Sequence, residues 1–336
     1  MRMLVTGATG FVGQAVVRAA RQRGHQVVAV TRSRRSAPAD WSEPGAQQVA
    51  PVEIIENDLR RASTWVPGLG HLDAVVHLAA GKTGDYHEQF AGTVVATERL
   101  LAAFAPAQVA RFVHVSSLAL YDFARLPDGA LLDESSPIIT RASSRDDYSS
   151  TKLIQEELVR EWALASATEL VVVRPGAIFG PGELWDAGIG ELVAPIRFAM
   201  GSGVTRKFVF LDNCADALLL AAERPEAVGQ TINVVDDDQP SQRDYSAALR
   251  RRQLPTPRAI PVPYRLMRVT ARLADLVNER RLRGRAHLPG ILSVEKLESR
   301  FKPLRYDNSA AKRLLGWSQR VSLETALDRC ADSAKR

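Results

Sequence analysis

Two side chains capable of acid–base chemistry stand four residues apart in the YSSTK segment at 148–152. Residues at positions i and i+4 of a helix share one face, so Tyr148 and Lys152 would lie side by side. The ammonium favours the phenolate and is expected to lower the pKa of the phenol. Tyr148 would then act as a general acid or base near neutral pH. By itself this pair is more often structural than catalytic.

Ser116 and Ser117 follow Phe112–Val115, an apolar run typical of a β-strand. The Ser117 hydroxyl is suited to hydrogen-bond a substrate hydroxyl or carbonyl and to align it with Tyr148. Ser116 is assigned to the neighbouring cofactor site. Serine at a strand end is commonly a turn former. A functional role for Ser116 and Ser117 therefore depends on which other groups lie beside them.

The glycine-rich segment TGATGFVG at 6–13 lies between a predicted strand and a predicted helix. Gly7 allows a tight turn, Gly10 lets the backbone approach a pyrophosphate, and Gly13 allows close packing of helix on sheet. The helix N-terminus offers unpaired N–H groups to phosphate. This context predicts a dinucleotide site, with a plain tight turn as the alternative. Its members here are Gly7, Thr9, Gly10, Phe11, Val12 and Gly13.

Residues 1–39 contain no Asp or Glu, and the first acid is Asp40. NAD sites of this type carry an acid about 20 residues after the glycine turn, where it holds the ribose 2′-hydroxyl. After Thr31, this chain instead has Arg32, Arg34 and Arg35, whose planar forks can pair with a 2′-phosphate. The sequence therefore favours NADP(H), with NAD(H) as the alternative cofactor and a solvated arginine loop as the structural alternative.

Short β-branched runs alternate with amphipathic stretches through the first half of the chain. This alternation predicts a Rossmann-type doubly wound α/β fold, a parallel sheet with helices on both faces. The predicted strands are Met3–Val5, Val27–Val30, Glu53–Ile55, Ala74–Leu78, Phe112–Val115 and Leu170–Val173. The predicted helices are Gln14–Arg23, His87–Phe104 and Thr151–Ala165.

The pattern changes after residue 174, which divides the chain into two expected parts. Residues 1–174 form the NADP-binding domain, rejoined by about 208–235, and residues 175–207 and 236–336 form a smaller C-terminal substrate-binding lobe. The further predicted helices are Ile189–Met200, Cys214–Ala222, Leu266–Val277 and Ser309–Leu315, the last ended by Gly316. The further predicted strands are Phe208–Leu211 and Thr231–Val235.

Ligands of open parallel sheets bind beyond the carboxyl ends of the strands. Several suitable groups fall at such ends, and their convergence on one edge is the main support for a site there. Asp58 and Leu59 would lie near the adenine, and the small residues after His77 would let the cofactor approach. Tyr148 and Lys152 are also assigned to the cofactor site, where Lys152 could bond the nicotinamide ribose. The remaining cofactor residues are Thr31, Asp58, Leu59, Leu78, Ala79, Ala80, Ser116, Arg174, Pro175 and Gly176.

The 336 residues, 46% hydrophobic and 24% charged, are typical of a globular protein rather than a disordered one. The net charge of +6 permits attraction to phosphates but does not demonstrate it. Two distant cysteines give no spacing for a metal or a disulfide framework, so no metal is expected. No apolar run approaches the roughly 20 residues of a membrane span. We expect a cytoplasmic protein with a small-molecule substrate and no nucleic-acid or membrane partner.

Taken together, the motifs resemble the extended short-chain dehydrogenase/reductase family, which holds nucleotide-sugar epimerases, dehydratases and 3β-hydroxysteroid-type dehydrogenases. The resemblance implies that Ser117, Tyr148 and Lys152 are the catalytic triad. It also implies a homodimer formed through the helices of 87–104 and 148–164. The motifs are TGATGFVG at 6–13, HLAA at 77–80, VSSLALYD at 115–122, YSSTK at 148–152, RPGAIFGPG at 174–182, FVFLDNCADAL at 208–218 and RYDNSAAKRLLGW at 305–317.

The chain departs from the family pattern at two places. Family members often carry an Asn where Thr93 stands, which puts a proton relay through that position in doubt. Dehydratases of the family carry an Asp-Glu pair where Leu118 and Ala119 stand, so water elimination is disfavoured.

Substrate recognition is assigned to Ser117, Phe179 and Arg206. Phe179, Trp185 and Phe210 could line an apolar pocket or simply belong to the core. Arg206 matches the place where sugar epimerases often bind phosphate. The basic segment 280–285 could clamp a diphosphate, but a solvated loop is the simpler interpretation.

Three functions remain open at this point. The first is a dehydrogenase or reductase that interconverts a secondary alcohol and a ketone, with Tyr148 as acid/base. The second is a nucleotide-sugar 4-epimerase that reuses its cofactor. The third is a non-catalytic NADP-sensing protein, which would not need an intact Tyr148 and Lys152 pair.

Overall fold

A computed structural model describes the chain except for the following residues: 45–49, 62–65, 106–107, 141–145, 185–190, 194–195, 202, 257–258, 282–293 and 336. Its strands are β1 Arg2–Thr6, β2 Gln26–Thr31, β3 Glu53–Glu56, β4 Leu72–His77, β5 Val109–Val115, β6 Leu131–Leu132, β7 Glu169–Pro175, β8 Ala177–Phe179, β9 Glu191–Val193, β10 Ile196–Met200, β11 Phe208–Phe210, β12 Thr231–Val234, β13 Ala259–Val262 and β14 Arg305–Tyr306. Its α-helices are α1 Phe11–Gln22, α2 Tyr86–Phe90, α3 Ala96–Ala103, α4 Asp147–Ser166, α5 Leu211–Glu223, α6 Gln242–Arg251, α7 Tyr264–Arg281, α8 Val294–Phe301, α9 Ser309–Leu315 and α10 Leu323–Ala334.

Seven parallel strands form the main sheet, in the order β3-β2-β1-β4-β5-β7-β12. The order reverses direction between β1 and β4, and this is the point at which open α/β sheets bind ligands. The Rossmann-type prediction is confirmed, and each of the six strands predicted in the first half is present.

Helices cover both faces of this sheet because its strands are apolar on both sides. Met3 and Val5 of β1 belong to a core that includes the buried residues of α1 and α5. Leu4, between them in sequence, belongs to the opposite core together with Leu100 of α3 and Val159 of α4. The alternation along β1 therefore divides the interior into two layers.

The predicted helix His87–Phe104 is divided in the structure. A π-helical turn, Ala91–Val95, lies between α2 and α3. The predicted helix Ser309–Leu315 matches α9, and Gly316 ends it with a φ of 63°. That left-handed conformation suits a residue without a Cβ.

The helix predicted from Ile189 to Met200 is wrong over its described part. That part forms β9 and β10, which pair with each other antiparallel, and β10 also pairs parallel with β13. Short apolar runs are compatible with helix or strand. Here the choice depends on a partner strand about sixty residues later, which local sequence does not reveal.

Two further small sheets join distant parts of the chain. β8 pairs with β11, and β6 pairs with β14. Phe208–Phe210 thus forms a strand as predicted, but beside β8 and not in the main sheet, whereas β12 joins the main sheet next to β7.

Both cysteines, Cys214 and Cys330, are buried free thiols. Within the described part of the chain, no helix combines the length and the apolar character needed to cross a bilayer. The basic segment at 280–285 lies mostly outside the described residues.

Candidate active site

The glycine loop packs tightly between β1 and α1. Gly7 has a φ of 64°, and a Cβ there would lie 3.0 Å from the Ala79 backbone nitrogen. A Cβ on Gly13 would lie 2.1 Å from the carbonyl oxygen of Gly7. Both positions therefore require glycine, and the loop brings the start of α1 against the end of β4.

The start of α1 is open to a phosphate group. Its N-cap residue, Gly10, is exposed and provides no side-chain hydrogen bond to the first turn. No acidic residue lies in that turn. Phe11 is half-buried, Val12 is buried, and Thr9 accepts a hydrogen bond from Gln14 through its carbonyl oxygen. The unpaired N–H groups and the positive end of the helix fit a dinucleotide pyrophosphate.

Three arginines surround the end of β2. Thr31 is buried and donates to the carbonyl oxygen of Ser33, while Arg32, Arg34 and Arg35 are exposed. Among the described residues, no carboxylate lies within ion-pair distance of these three guanidinium groups. They are therefore available to an external anion.

Glu56, at the end of β3, lies beside this arginine loop. Its carboxylate accepts a hydrogen bond of 2.9 Å from the backbone nitrogen of Arg34. Sequence analysis did not anticipate an acid here, because Glu56 comes after the stretch in which such an acid was sought. The register that pairs Thr31 with Glu56 brings it close.

The predicted adenine side holds Asp58 and Leu59. Asp58 forms an ion pair with Arg60 at 2.6 Å. The side-chain hydrogen bond from Arg60 lowers the pKa of Asp58 to about 2. Leu59 is buried against the sheet.

Leu78, Ala79 and Ala80 are half-buried beyond β4. The backbone nitrogens of Leu78 and Ala79 both donate to the Thr6 hydroxyl at 3.2 Å. The residues after β4 thus lie directly beside the glycine loop, and their contact with a cofactor stays a prediction.

Tyr148 and Ser117 meet at the same edge of the sheet. Tyr148 lies near the start of α4, whose N-cap Asp146 accepts a hydrogen bond of 2.7 Å from the Ser149 nitrogen. Ser117 lies two residues beyond β5 and accepts from the Ala119 nitrogen at 3.1 Å. The side chains of Tyr148 and Ser117 are hydrogen-bonded to each other. A phenol and a hydroxyl are thus joined where a substrate oxygen would bind.

The pKa of Tyr148 is shifted in the direction opposite to the one predicted. Burial raises the pKa of the phenol, and the hydrogen bond with Ser117 only partly offsets this effect. The expected lowering by Lys152 does not occur because the ammonium is bound elsewhere. In this structure the phenol is the protonated form at neutral pH.

Lys152 is buried, and its ammonium donates to the Val115 carbonyl oxygen at 2.7 Å and to the Gln155 amide oxygen. Burial lowers the pKa of Lys152 to about 7, although the negative charge of Glu156 opposes this. The ammonium is therefore fixed by the end of β5 and by its own helix.

Gln155 links this ammonium to the neighbouring strand end. Its amide nitrogen donates to the Ala79 carbonyl oxygen at 3.1 Å and to the Thr97 hydroxyl at 2.7 Å. His77 lies within 2.9 Å of the same hydroxyl and within 2.8 Å of the Thr6 hydroxyl. Burial lowers the pKa of His77 to about 3, so the ring is neutral.

Thr93 is buried within the π-helical turn. Its hydroxyl accepts a hydrogen bond of 2.9 Å from the Gly81 nitrogen. The side chain that stands where relatives often have Asn is thus bound to the backbone beside the β4 end.

Ser116 and Arg174 share one buried carboxylate. The Ser116 hydroxyl donates to Glu156 at 2.5 Å, and Arg174 forms an ion pair with Glu156 at 2.6 Å. Arg174 also lies over the ring of Tyr121, 4.9 Å from its centroid. These two predicted cofactor residues therefore have protein partners, and their contact with a cofactor stays a prediction.

The two residues assigned to substrate alone are buried. Phe179 packs against Phe208, Phe210 and Tyr245. Arg206 donates to the Gln242 amide oxygen at 2.8 Å. Their assignment to substrate is still a prediction.

Pro175 ends β7 and is buried, and the Gly176 nitrogen donates to the Val234 carbonyl oxygen at 2.9 Å. These two residues hold the connection between β7 and β8 at the carboxyl edge of the sheet. Trp185, considered from sequence as a pocket residue, lies outside the described part.

Sequence reasoning missed Gln155, Glu156 and Thr97 as residues around the site. A signal existed for the first two, because they lie three and four residues after Lys152 on a helix whose Tyr–Lys face had been identified. Thr97 had no such signal, since its role depends on the packing of α3 against α4.

Comparison with known proteins agrees with this geometry. The model of the NAD dependent epimerase/dehydratase family matches residues 3–235. A 4-hydroxy-2-methyl-3-oxo-4-farnesyl-3,4-dihydroquinoline-1-oxide ketoreductase of Stigmatella aurantiaca is 29% identical, over 98% of this chain and 95% of its own length. A 2-alkyl-3-oxoalkanoate reductase of Stenotrophomonas maltophilia is 28% identical, over 99% of each chain.

Among solved structures, the UDP-glucuronic acid 4-epimerase of Bacillus cereus in complex with NAD superposes with a TM-score of 0.71. The two sequences are 22% identical, over 100% of this chain and 97% of the other. This likeness supports the fold and leaves the chemistry to the residues of the site.

Proposed function

The chain belongs to the NAD dependent epimerase/dehydratase family, and on that basis we propose that it is an NADP(H)-dependent ketone reductase with Tyr148 as proton donor. The observation that carries the proposal is the hydrogen-bonded pair of Tyr148 and Ser117. It lies at the carboxyl edge of the sheet, where the glycine loop and the Ala79 segment also meet.

Cofactor binding is proposed at the start of α1 and the end of β2. The N–H groups after Gly10 would hold the pyrophosphate, and the exposed Arg32, with Arg34 or Arg35, would hold a 2′-phosphate. When bound, the nicotinamide would supply the hydride for reduction. The preference for NADP over NAD rests on the three unpaired arginines, although Glu56 beside them reduces their attraction for an anion.

The proton step follows from the state of the phenol. Since burial raises the pKa of Tyr148, the hydroxyl is protonated at neutral pH and can donate to a carbonyl oxygen. Ser117 would donate a second hydrogen bond to that oxygen and orient it. Lys152, whose ammonium is held by the Val115 carbonyl oxygen and Gln155, would bond the nicotinamide ribose.

The proposed substrate is a ketone carried on a large apolar group. The two relatives described above, which match over nearly their whole length, are named as reductases of oxo compounds, one bearing a farnesyl group and the other an alkyl chain. We further propose a homodimer through the α2–α3 segment and α4, and substrate binding by the lobe of residues 175–207 and 236–336.

NADPH oxidation in the presence of a 2-alkyl-3-oxoalkanoate tests this function. Net oxidation is expected with the ketone, and none is expected with UDP-glucuronic acid. Tyr148→Phe should retain NADPH binding and lose turnover. Tyr264→Phe is a matched control, because its buried hydroxyl has no hydrogen-bond partner among the described residues.

Other outcomes would each reject the proposal in a different way. Interconversion of a nucleotide sugar without net change in cofactor would show an epimerase. NADPH binding with no turnover of ketone or sugar would show a sensor. Full turnover by Tyr148→Phe would exclude this residue as the acid.

A further inference from the structure

Helix α7 has one apolar face packed into the lobe. Tyr264, Met267 and Ala271 are buried there, in a cluster with Leu297 and Phe301 of α8. These contacts fix the orientation of α7 on the surface of the protein.

The opposite face of α7 is also apolar, but it is exposed. At 100° per residue, five exposed apolar side chains of α7 lie on the side away from the buried face. Six of the eleven large exposed apolar side chains among the described residues fall within residues 260–277. Single exposed apolar residues are ordinary, whereas a contiguous set indicates a contact surface. This set, called the α7 stripe below, consists of Leu266 (56% exposed), Val269 (55%), Leu273 (57%), Leu276 (41%) and Val277 (53%).

Among the described side chains of α7, the exposed charges beside the α7 stripe are positive. Arg265, Arg272 and Arg280 are exposed and form no ion pair with the described residues. By contrast, Arg268 pairs with Asp128 at 3.0 Å. Asp275 is half-buried and accepts a hydrogen bond of 3.2 Å from the Val294 nitrogen.

We propose that the α7 stripe docks on an anionic lipid surface, with α7 lying in the headgroup region. An apolar face inserted among acyl chains, with arginines at headgroup level, is the arrangement of interfacial helices. A second copy of the chain is a less suitable occupant, because paired stripes would bring like-charged arginines together. The surface lies on a helix that does not cross the bilayer.

This inference departs from the absence of a membrane partner expected from the sequence. That expectation considered only membrane-spanning segments. The exposure of the α7 stripe depends on how α7 packs on the lobe, which the sequence does not show. The inference does not depend on the proposed reaction, since binding to lipid can be measured without turnover.

Vesicle co-sedimentation of the full chain tests the inference. Binding is expected to phosphatidylcholine vesicles that contain phosphatidylglycerol, and to be much weaker with phosphatidylcholine alone. Leu266→Gln and Leu273→Gln should each weaken binding about tenfold, from the lost burial of one aliphatic side chain. Arg265→Gln and Arg272→Gln should each weaken it about fivefold, and only on the anionic vesicles.

Ile138→Gln is the matched control, because Ile138 is an exposed aliphatic residue (40%) that lies neither on α7 nor on the helices proposed to form the dimer. It should bind vesicles like the unsubstituted protein. Absence of binding to anionic vesicles, or equal binding by Leu273→Gln, would overturn the inference. A smaller oligomer for Leu273→Gln, together with no vesicle binding by the unsubstituted protein, would also overturn the inference. It would assign the α7 stripe to contact with a second copy of the chain.

Discussion

The Lys152 ammonium and the Gln155 side chain are joined by a hydrogen bond within one turn of α4. The same Gln155 amide reaches across to the Ala79 carbonyl oxygen and the Thr97 hydroxyl. Gln155 therefore couples the position of a proposed catalytic ammonium to the strand end proposed to contact the cofactor.

Replacement of Gln155 by Ala is expected to lower kcat/KM for the ketone by roughly tenfold to a hundredfold, since small misplacements of catalytic groups are costly. In Gln155→Glu, the pH dependence of NADPH affinity is the measurement that a purely structural role of Gln155 would leave unchanged. Its carboxylate would raise the pKa of Lys152 from about 7. The pH at which NADPH affinity declines should then rise, as measured by fluorescence titration. An unchanged pH profile in Gln155→Glu would argue against this coupling.

The raised pKa of Tyr148 predicts opposite pH dependences for the two directions of the reaction. Reduction uses the phenol, so its kcat should stay level through neutral pH and fall only in alkaline solution. Oxidation uses the phenolate, so its kcat should increase with pH. Both are measured at saturating cofactor and substrate, which removes the effect of Lys152 on binding. A reduction rate that already falls between about pH 6 and 8, the range in which an ordinary histidine titrates, would contradict the assignment of Tyr148 as the proton donor.

Cofactor selectivity should depend on Arg32 and on Glu56 in opposite senses. NADPH is expected to bind more tightly than NADH, and Arg32→Ala should reduce the difference about tenfold by removing a charge-assisted hydrogen bond. Glu56→Gln should increase the difference, because a negative charge beside the arginine loop is lost. Calorimetric titration of each variant with both cofactors measures these changes. Tighter binding of NADH by the unsubstituted protein would reject the arginine proposal.

The ion pair of Glu156 with Arg174 should stabilise the folded protein strongly, since both side chains are almost fully buried. Glu156→Gln leaves a buried guanidinium without its carboxylate and is expected to cost about 3–5 kcal/mol of unfolding free energy. Arg160→Gln removes only the partly exposed partner of Glu156 and should cost below about 1 kcal/mol. Urea denaturation measures both, and equal costs would contradict this ranking.

The same carboxylate gives the stability a definite dependence on pH. Burial of Glu156 opposes ionisation, but the charge and hydrogen bonds of Arg174 outweigh it and lower the pKa from 4.5 to about 2. The folded pKa lies below the unfolded one, so this contribution is complete above pH 4.5 and is lost as pH falls toward about 2. Glu156→Gln should lack this part of the acid sensitivity.

The main sheet could be predicted from sequence because its strands are short, apolar and separated by helices, so each is recognisable locally. The glycine loop was equally local, since its turn and helix start are adjacent in the chain. The β9 and β10 strands were predicted as helix because β13, the strand that pairs with β10 on its other side, comes much later. Local periodicity contains no information about such a partner.

The candidate site was predictable in its residue types and only partly in its electrostatics. The neighbourhood of Tyr148 and Ser117 was predicted from the position of Ser117 at a strand end and from the carboxyl edge of the sheet as the place where ligands bind. The direction of the Tyr148 pKa did not, because it depends on how deeply the phenol is buried and on where the ammonium points. Gln155 lies three residues after Lys152, so spacing places the two side chains together, but spacing does not show that the ammonium bonds Gln155 instead of the phenol.

The pairing of β12 with β7 determines when the main sheet is completed during synthesis. β7 is complete at Pro175, but the strand that covers its outer edge ends only at Val234. During synthesis, the edge of a half-built sheet stays open while more than fifty further residues are added. A long open edge recruits other chains more readily than a short one, so fragments that stop before Thr231 expose the seven-residue edge of β7 and should aggregate more than chains that include the four-residue β12.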